Sequence, residues 1–213
     1  MKPYSFIKQA LDYIFAAIFT ILLSPLLLVI AIAIKLDSPG PVLFKQRRVG
    51  KDRKEFDIYK FRTMKSDAPK DQPTHLLSDP YRYITKTGRF LRKSSLDELP
   101  QLFNIFKGEM SFIGPRPALW NQYDLIQARE NQESKVGISA NSCHPGISGW
   151  AQVNGRDELP IDVKAGYDGY YTQKMSFILD FKILFMTIKS VLWSKGVLEG
   201  GSKSTELKEG ENK

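Results

Sequence analysis

Two adjacent carboxylates, Asp97 and Glu98, open the segment "DELPQLFN" just after a run that contains Arg89, Arg92 and Lys93 and no acid. Acids beside cations at the mouth of an apolar helix stay ionised, because helix N–H groups and guanidinium groups favour the charged form. An ionised aspartate in such a place can act as a nucleophile, forming an acyl-phosphate, or as a magnesium ligand. The plain alternative is that Asp97 caps a helix over about residues 99–106, with Pro100 in its first turn and Leu102, Phe103, Ile105 and Phe106 as its apolar surface. A cap accounts for Asp97 but leaves Glu98 without a purpose. Neighbouring helical residues diverge by about 100°, so the pair cannot flank one glycosidic bond as hydrolase carboxylates do. The same tetrapeptide recurs as Asp157, Glu158, Leu159 and Pro160. Only the first copy follows pure cations and precedes "GEMSFIGPRP", where two prolines fix the backbone around Arg116, so the reaction is placed at the first.

Charge supports an anionic partner. The chain has 213 residues and a formal charge of +8, and residues 35–65 hold ten Lys or Arg against four Asp or Glu. Clustered cations suit nucleic acid, lipid headgroups or a phosphorylated substrate, or else form a solvated face. One cysteine, Cys143, excludes an internal disulfide, and His75 and His144 lie too far apart for a zinc motif. Any metal should therefore take oxygen ligands.

The elements that must carry this site begin with an apolar segment. Residues 14–34 form an uncharged run of 21 residues, long enough to span a bilayer. Ser24-Pro25 interrupts it, and proline removes a helical hydrogen bond. Lys2 and Lys8 precede the run while Lys35, Lys45, Arg47 and Arg48 follow it, so both flanks prefer the cytoplasmic side. These features predict a re-entrant helix-break-helix hairpin, with Ser24 satisfying backbone groups freed by Pro25. A bent helix that spans the membrane is the competing topology. Downstream, alternation predicts strands at about 42–46 and within 54–64, with Lys60 and Arg62 on one face. Loops are expected at 66–80 and in "HPGISGWAQVNGR", and helices at about 99–106, 118–130, 161–172 and 176–196, the last either interfacial or buried. The tail from Gly200 reads as disordered. The predicted class is α/β, mostly helical with an α+β character: a membrane hairpin over 1–36, a catalytic domain over 37–197 and a tail over 198–213.

Five ordered motifs carry a resemblance. "SPGPVLFKQRRVG", "YKFRTM", "SSLDELPQLFN", "GEMSFIGPRP" and "PGISGWAQVNGR" follow the proline-broken hydrophobic N-terminus. Over roughly residues 5–196 the chain resembles the bacterial sugar transferases known as small monotopic phosphoglycosyl transferases, in their minimal form without extra upstream membrane helices. The resemblance implies transfer of a phosphosugar from a UDP-sugar to polyprenol (undecaprenyl) phosphate, with release of UMP, at the cytoplasmic face of the bacterial inner membrane. It implies Mg²⁺ as cofactor and matches the family's acidic dyad to Asp97, the nucleophile, and Glu98, its assistant through proton or metal handling. It also assigns Arg116 to phosphate oxygens and the membrane break to Ser24-Pro25. Lys60, Arg62 and Arg156 are further candidates for phosphate or headgroup contact. Membrane lipid is an expected partner and nucleic acid is not. Two rivals are a spanning transferase working through a ternary complex and a membrane-tethered basic adaptor or nucleic-acid-binding module.

Overall fold

The computed structural model describes residues 3–69, 79–155 and 159–193. Its longest element is α1, Pro3–Asp37, a single helix that carries Pro25 inside it. The expected break is therefore not an interruption of the helix. Proline costs the helix one N–H donor to the Ile21 carbonyl four residues earlier, and the Ser24 hydroxyl donates to that carbonyl at 2.7 Å. Local repair of the orphaned acceptor lets helical geometry continue past the proline.

One side of α1 packs on the rest of the chain. Ala16 enters a core with Ile58, Leu102, Ile105 and Met110, while Ile30 and Ile34 join Phe61 and Leu91. The opposite side leaves Ile14, Ile18, Ile21, Leu22, Leu28, Val29 and Ile32 exposed. Both ends are tied down. Lys8 pairs with Asp180 at 2.7 Å and the Tyr4 hydroxyl donates to the same carboxylate at 2.8 Å. At the other end, Asp37 accepts from the Thr87 N–H at 2.9 Å.

The two expected strands, β1 (Leu43–Val49) and β2 (Glu55–Phe61), pair as an antiparallel hairpin, in register from Leu43 opposite Phe61 to Val49 opposite Glu55. Its turn holds Asp52 and Arg53 at positive φ, the handedness that matches strand twist. Helix α2, Lys86–Ser94, has no counterpart in the sequence-based reading. The Thr85 side chain caps it by accepting from the Gly88 N–H, and Gly88 approaches the Thr63 carbonyl so closely that a Cβ would collide with it. A 3₁₀ turn, Leu96–Glu98, leads to the short helix α3, Gln101–Phe106. Strand β3 (Ser111–Ile113) pairs in parallel with β5 (Gly146–Ser148), inside the segment expected to be loop.

Residues expected to start a helix at Ala118 instead form β4, Ala118–Leu119, which adds to the free edge of β1. The helix α4 starts only at Tyr123 and runs to Val136. The edge of β1 has unpaired backbone groups there, and pairing them outweighs the helical preference of two residues. A single turn α5 (Trp150–Val153) precedes α6 (Ile161–Lys174) and α7 (Phe177–Trp193). In α7 Leu179 and Ile183 are buried, whereas Phe177, Ile178, Phe181 and Phe185 are exposed on the opposite face.

Candidate active site

The acidic pair sits on the Leu96–Glu98 turn, between the left-handed end of α2 at Ser95 and Pro100. Asp97 caps neither element: Ser95 precedes the turn and Pro100 precedes α3, without a side-chain capping bond at either. The helix starts at Gln101 rather than at about residue 99, so Asp97 stands inside the preceding 3₁₀ turn and not at the N-cap position of α3. Asp97 is 8% exposed. Successive residues on a 3₁₀ turn point about 120° apart, so the two carboxylates face different surroundings.

Glu98 faces cations. Its Oε1 accepts from Lys60 Nζ at 2.6 Å and lies 3.7 Å from Arg116 Nη1. Burial pushes this carboxyl up, but Lys60, then Arg116, and more weakly Arg48 hold it down to about 2. Three segments far apart in sequence thus converge on one anion. Arg89 and Lys93, adjacent in sequence, are exposed, and Arg92 donates to the Thr63 hydroxyl at 2.9 Å. The cations that set the charge state of Glu98 are therefore not the sequence neighbours. The three cations that act on Glu98, Arg48, Lys60 and Arg116, line a small cleft together with Ile58, Gln101 and Gly146.

Scaffolding comes from buried polar groups that sequence reasoning missed. Asn104, with no exposed surface, accepts from the Tyr59 N–H at 2.9 Å and donates to the Asp57 carbonyl and to Glu109, each at 2.7 Å. It thereby fastens α3 to β2. Arg48 donates to Gln46 and to the Pro117 carbonyl at 3.0 Å. Its "QRR" setting drew attention only as part of a motif.

Other candidates lie elsewhere. Arg62 does not share the cleft with Lys60: it is 5% exposed, and it donates to the carbonyls of Pro39 at 2.7 Å and Ser38 at 2.6 Å. The strand ends at Phe61, so the alternation that would have kept Arg62 beside Lys60 stops one residue short, and its guanidinium satisfies the orphan carbonyls after α1. Arg156 and the second acidic pair, Asp157 and Glu158, fall outside the described residues, as does His75. His144 is held neutral, its pKa lowered to about 4 by burial and then by Lys51. No group of three or more His, Cys, Asp or Glu able to hold a metal occurs among the described residues.

The description "bacterial sugar transferase" belongs to the family model that matches residues 3–194. Over 192 residues the chain is 41% identical to an uncharacterized sugar transferase, EpsL, of Bacillus subtilis (strain 168), covering 90% of each chain. It is 41% identical over 196 residues to a UDP-N-acetylgalactosamine-undecaprenyl-phosphate N-acetylgalactosaminephosphotransferase of Aeromonas hydrophila. It is 40% identical over 191 residues to a UDP-glucose:undecaprenyl-phosphate glucose-1-phosphate transferase of Escherichia coli (strain K12). These matches cover 91% and 85% of this chain but only 45% and 39% of the two relatives, which are longer proteins.

Proposed function

The chain belongs to the bacterial sugar transferase family and is a transferase by that membership; from that premise we propose that it moves a phosphosugar from a UDP-sugar to a polyprenol phosphate and releases UMP. The observation that carries this reading is the acidic pair whose second member is kept ionised by Lys60, Arg116 and Arg48, on a turn that leads straight into a helix packed on α1. Cations of this kind suit a diphosphate, and the planar fork of arginine suits its oxygens. The names of the Aeromonas and Escherichia relatives support a UDP-sugar donor and an undecaprenyl phosphate acceptor.

The proposed route has two steps. A carboxylate oxygen of Asp97 attacks the β-phosphorus of the donor, and the bond from that phosphorus to the bridging oxygen breaks with both electrons leaving on UMP. An oxygen of the polyprenol phosphate then attacks the same phosphorus, displaces the Asp97 carboxylate and yields the polyprenyl diphosphosugar. Asp97 takes the nucleophile's role by its match to the family's acidic dyad, and Glu98, bonded to Lys60 at 2.6 Å, stands beside it as its assistant. Lys60 and Arg116 offset charge as an anion approaches a diphosphate. Mg²⁺ is commonly held by one or two carboxylates together with substrate phosphates; Asp97 would hold it here with the donor diphosphate, because Lys60 occupies Glu98 Oε1. Bound there, the ion would draw charge from the diphosphate as a Lewis acid.

Membrane placement follows the same logic. We propose that α1, kinked at Pro25 while remaining helical, dips into one leaflet and returns to the cytoplasmic face rather than crossing. It is long and apolar enough to cross, yet Lys8 near one end and Asp37 at the other both bond the folded domain. A crossing helix would need that domain on both sides of the bilayer. The exposed phenylalanines of α3 and α7, Phe103, Phe106, Phe177 and Phe181, suit the same lipid boundary, where a polyprenol phosphate keeps its charge.

A UMP-release assay across a panel of UDP-sugars, with undecaprenyl phosphate in detergent, tests the reading. At least one donor should release UMP, and labelled phosphosugar should be trapped on the protein. Asp97→Asn should lose both while still fractionating with membranes. Silence across every donor refutes the function; turnover without any adduct refutes the two-step route in favour of direct transfer in a ternary complex.

A further inference from the structure

Arg129 and Asp168 form a buried ion pair between α4 and α6, with side chains 4% and 1% exposed. Arg129 Nε and Nη2 both donate to Asp168 Oδ2, at 2.9 and 2.6 Å. The same Nη2 also donates to the main-chain carbonyl of Arg116 at 2.8 Å. We propose that Arg129, held by Asp168, is a positioning residue that fixes the backbone of Arg116 so that its guanidinium meets Glu98. This inference rests on the transferase reading above.

Stability alone is a poor explanation for such a pair. Burying two charges costs desolvation that their attraction barely offsets, and apolar replacements of similar volume are often neutral or stabilising. The pair is also incompletely satisfied, since Asp168 Oδ1 is buried without a hydrogen-bond partner. What the arrangement secures is the third bond. Arg116 lies between Pro115 and Pro117, whose rings restrict the backbone on either side. Anchoring its carbonyl from α4 fixes the origin of the side chain that reaches to 3.7 Å from Glu98 Oε1. Arg48 anchors the next carbonyl, that of Pro117, at 3.0 Å. The "GPRP" loop is thus held by two guanidinium groups at consecutive carbonyls, one from the cleft and one from the core.

The test compares the full-length chain in detergent with Arg129→Met/Asp168→Leu, with Arg116→Ala and with all three changes combined. Thermal unfolding midpoint, UDP affinity by calorimetry, and kcat and KM for UMP release from UDP-glucose and UDP-N-acetylgalactosamine are measured for each. The apolar pair should keep a midpoint within a few degrees of the native chain. Its kcat/KM should fall roughly 10- to 100-fold, the range found when the partners that orient a functional ligand are removed. In the combined variant the loss should be no greater than for Arg116→Ala alone, because the effect runs through Arg116. Should the apolar pair not fold, Arg129→Lys, which keeps the charge and loses the planar fork, enters the same cycle with the same expected non-additivity. Losses that multiply, or unimpaired UMP release from the apolar pair, overturn the inference while leaving the transferase reading intact. A native chain that neither binds UDP nor releases UMP overturns both.

Discussion

Removing the Lys60 ammonium should turn Glu98 from a fixed anion into a carboxyl that takes up a proton in moderately acid solution. Burial is the strongest influence on this carboxyl and raises it; Lys60 is the first of the charges that reverse the effect and bring it to about 2 from an ordinary value of 4.5. At 1.36 kcal/mol per unit, that difference corresponds to about 3 kcal/mol in favour of the ionised form. The side chains are 17% and 18% exposed, so solvent screening takes only part of it. In Lys60→Met, Arg116 at 3.7 Å and Arg48 remain, less charge opposes burial, and the carboxyl moves up toward its ordinary value. Because the native pKa lies below the unfolded one, the stabilisation is complete above pH 4.5 and disappears as pH falls toward 2. The deficit of Lys60→Met against the native chain should therefore be largest at pH 7, up to about 3 kcal/mol, and vanish near pH 2. Urea unfolding in detergent, followed by tryptophan fluorescence across that range, measures it. The acid limb of UMP release should shift upward in the same variant. A difference below about 0.5 kcal/mol at pH 7, the value of an exposed pair, with an unmoved activity profile would show that Glu98 is solvated and that the convergence of cations does not set its charge.

Three further outcomes are expected. With Cys143 replaced by serine, cysteines introduced at Pro3 and Leu36 should both resist a membrane-impermeant maleimide in intact cells and react after permeabilisation; labelling of position 3 alone from outside would establish a spanning helix. Asn104→Ala should lose roughly 3 kcal/mol in denaturant unfolding, since it strands the Tyr59 N–H and Asp57 carbonyl in the core, and a loss under about 1 kcal/mol would mean water replaces those bonds. His144, its pKa depressed to about 4, stays neutral in the fold while the unfolded chain takes up a proton near 6.5, so stability should decline as pH falls from about 6.5 to 4. His144→Gln should flatten that decline, and an imidazole titrating near 6.5 by NMR in the folded protein would contradict it.

Much of the site was legible because local spacing encodes it. Asp97 and Glu98 share a tetrapeptide with Pro100, and the prolines around Arg116 announce a rigid loop whatever the fold. The apolar run and the β1–β2 alternation likewise depend only on neighbours, and the repair of Pro25 by Ser24 is a bond between residues three apart. Lys60 and Arg62 show where that legibility ends. As two cations on one strand they looked equivalent, yet one meets Glu98 and the other closes the end of α1. The helix expected from Ala118 failed for a related reason, because its first two residues found a strand edge 70 positions away in Arg48 and Val49.

By itself, then, the sequence determined the acidic pair, the membrane-length apolar run, the two strands of the β1–β2 pair, and the family. Tertiary structure decided which cations neutralise Glu98, that Arg129 reaches the Arg116 carbonyl, and that both ends of α1 rest on one domain. Side-chain chemistry and periodicity act over a few residues and can be read in order. The choice among many like charges is made only when packing excludes water and leaves each buried polar group with the partner within reach.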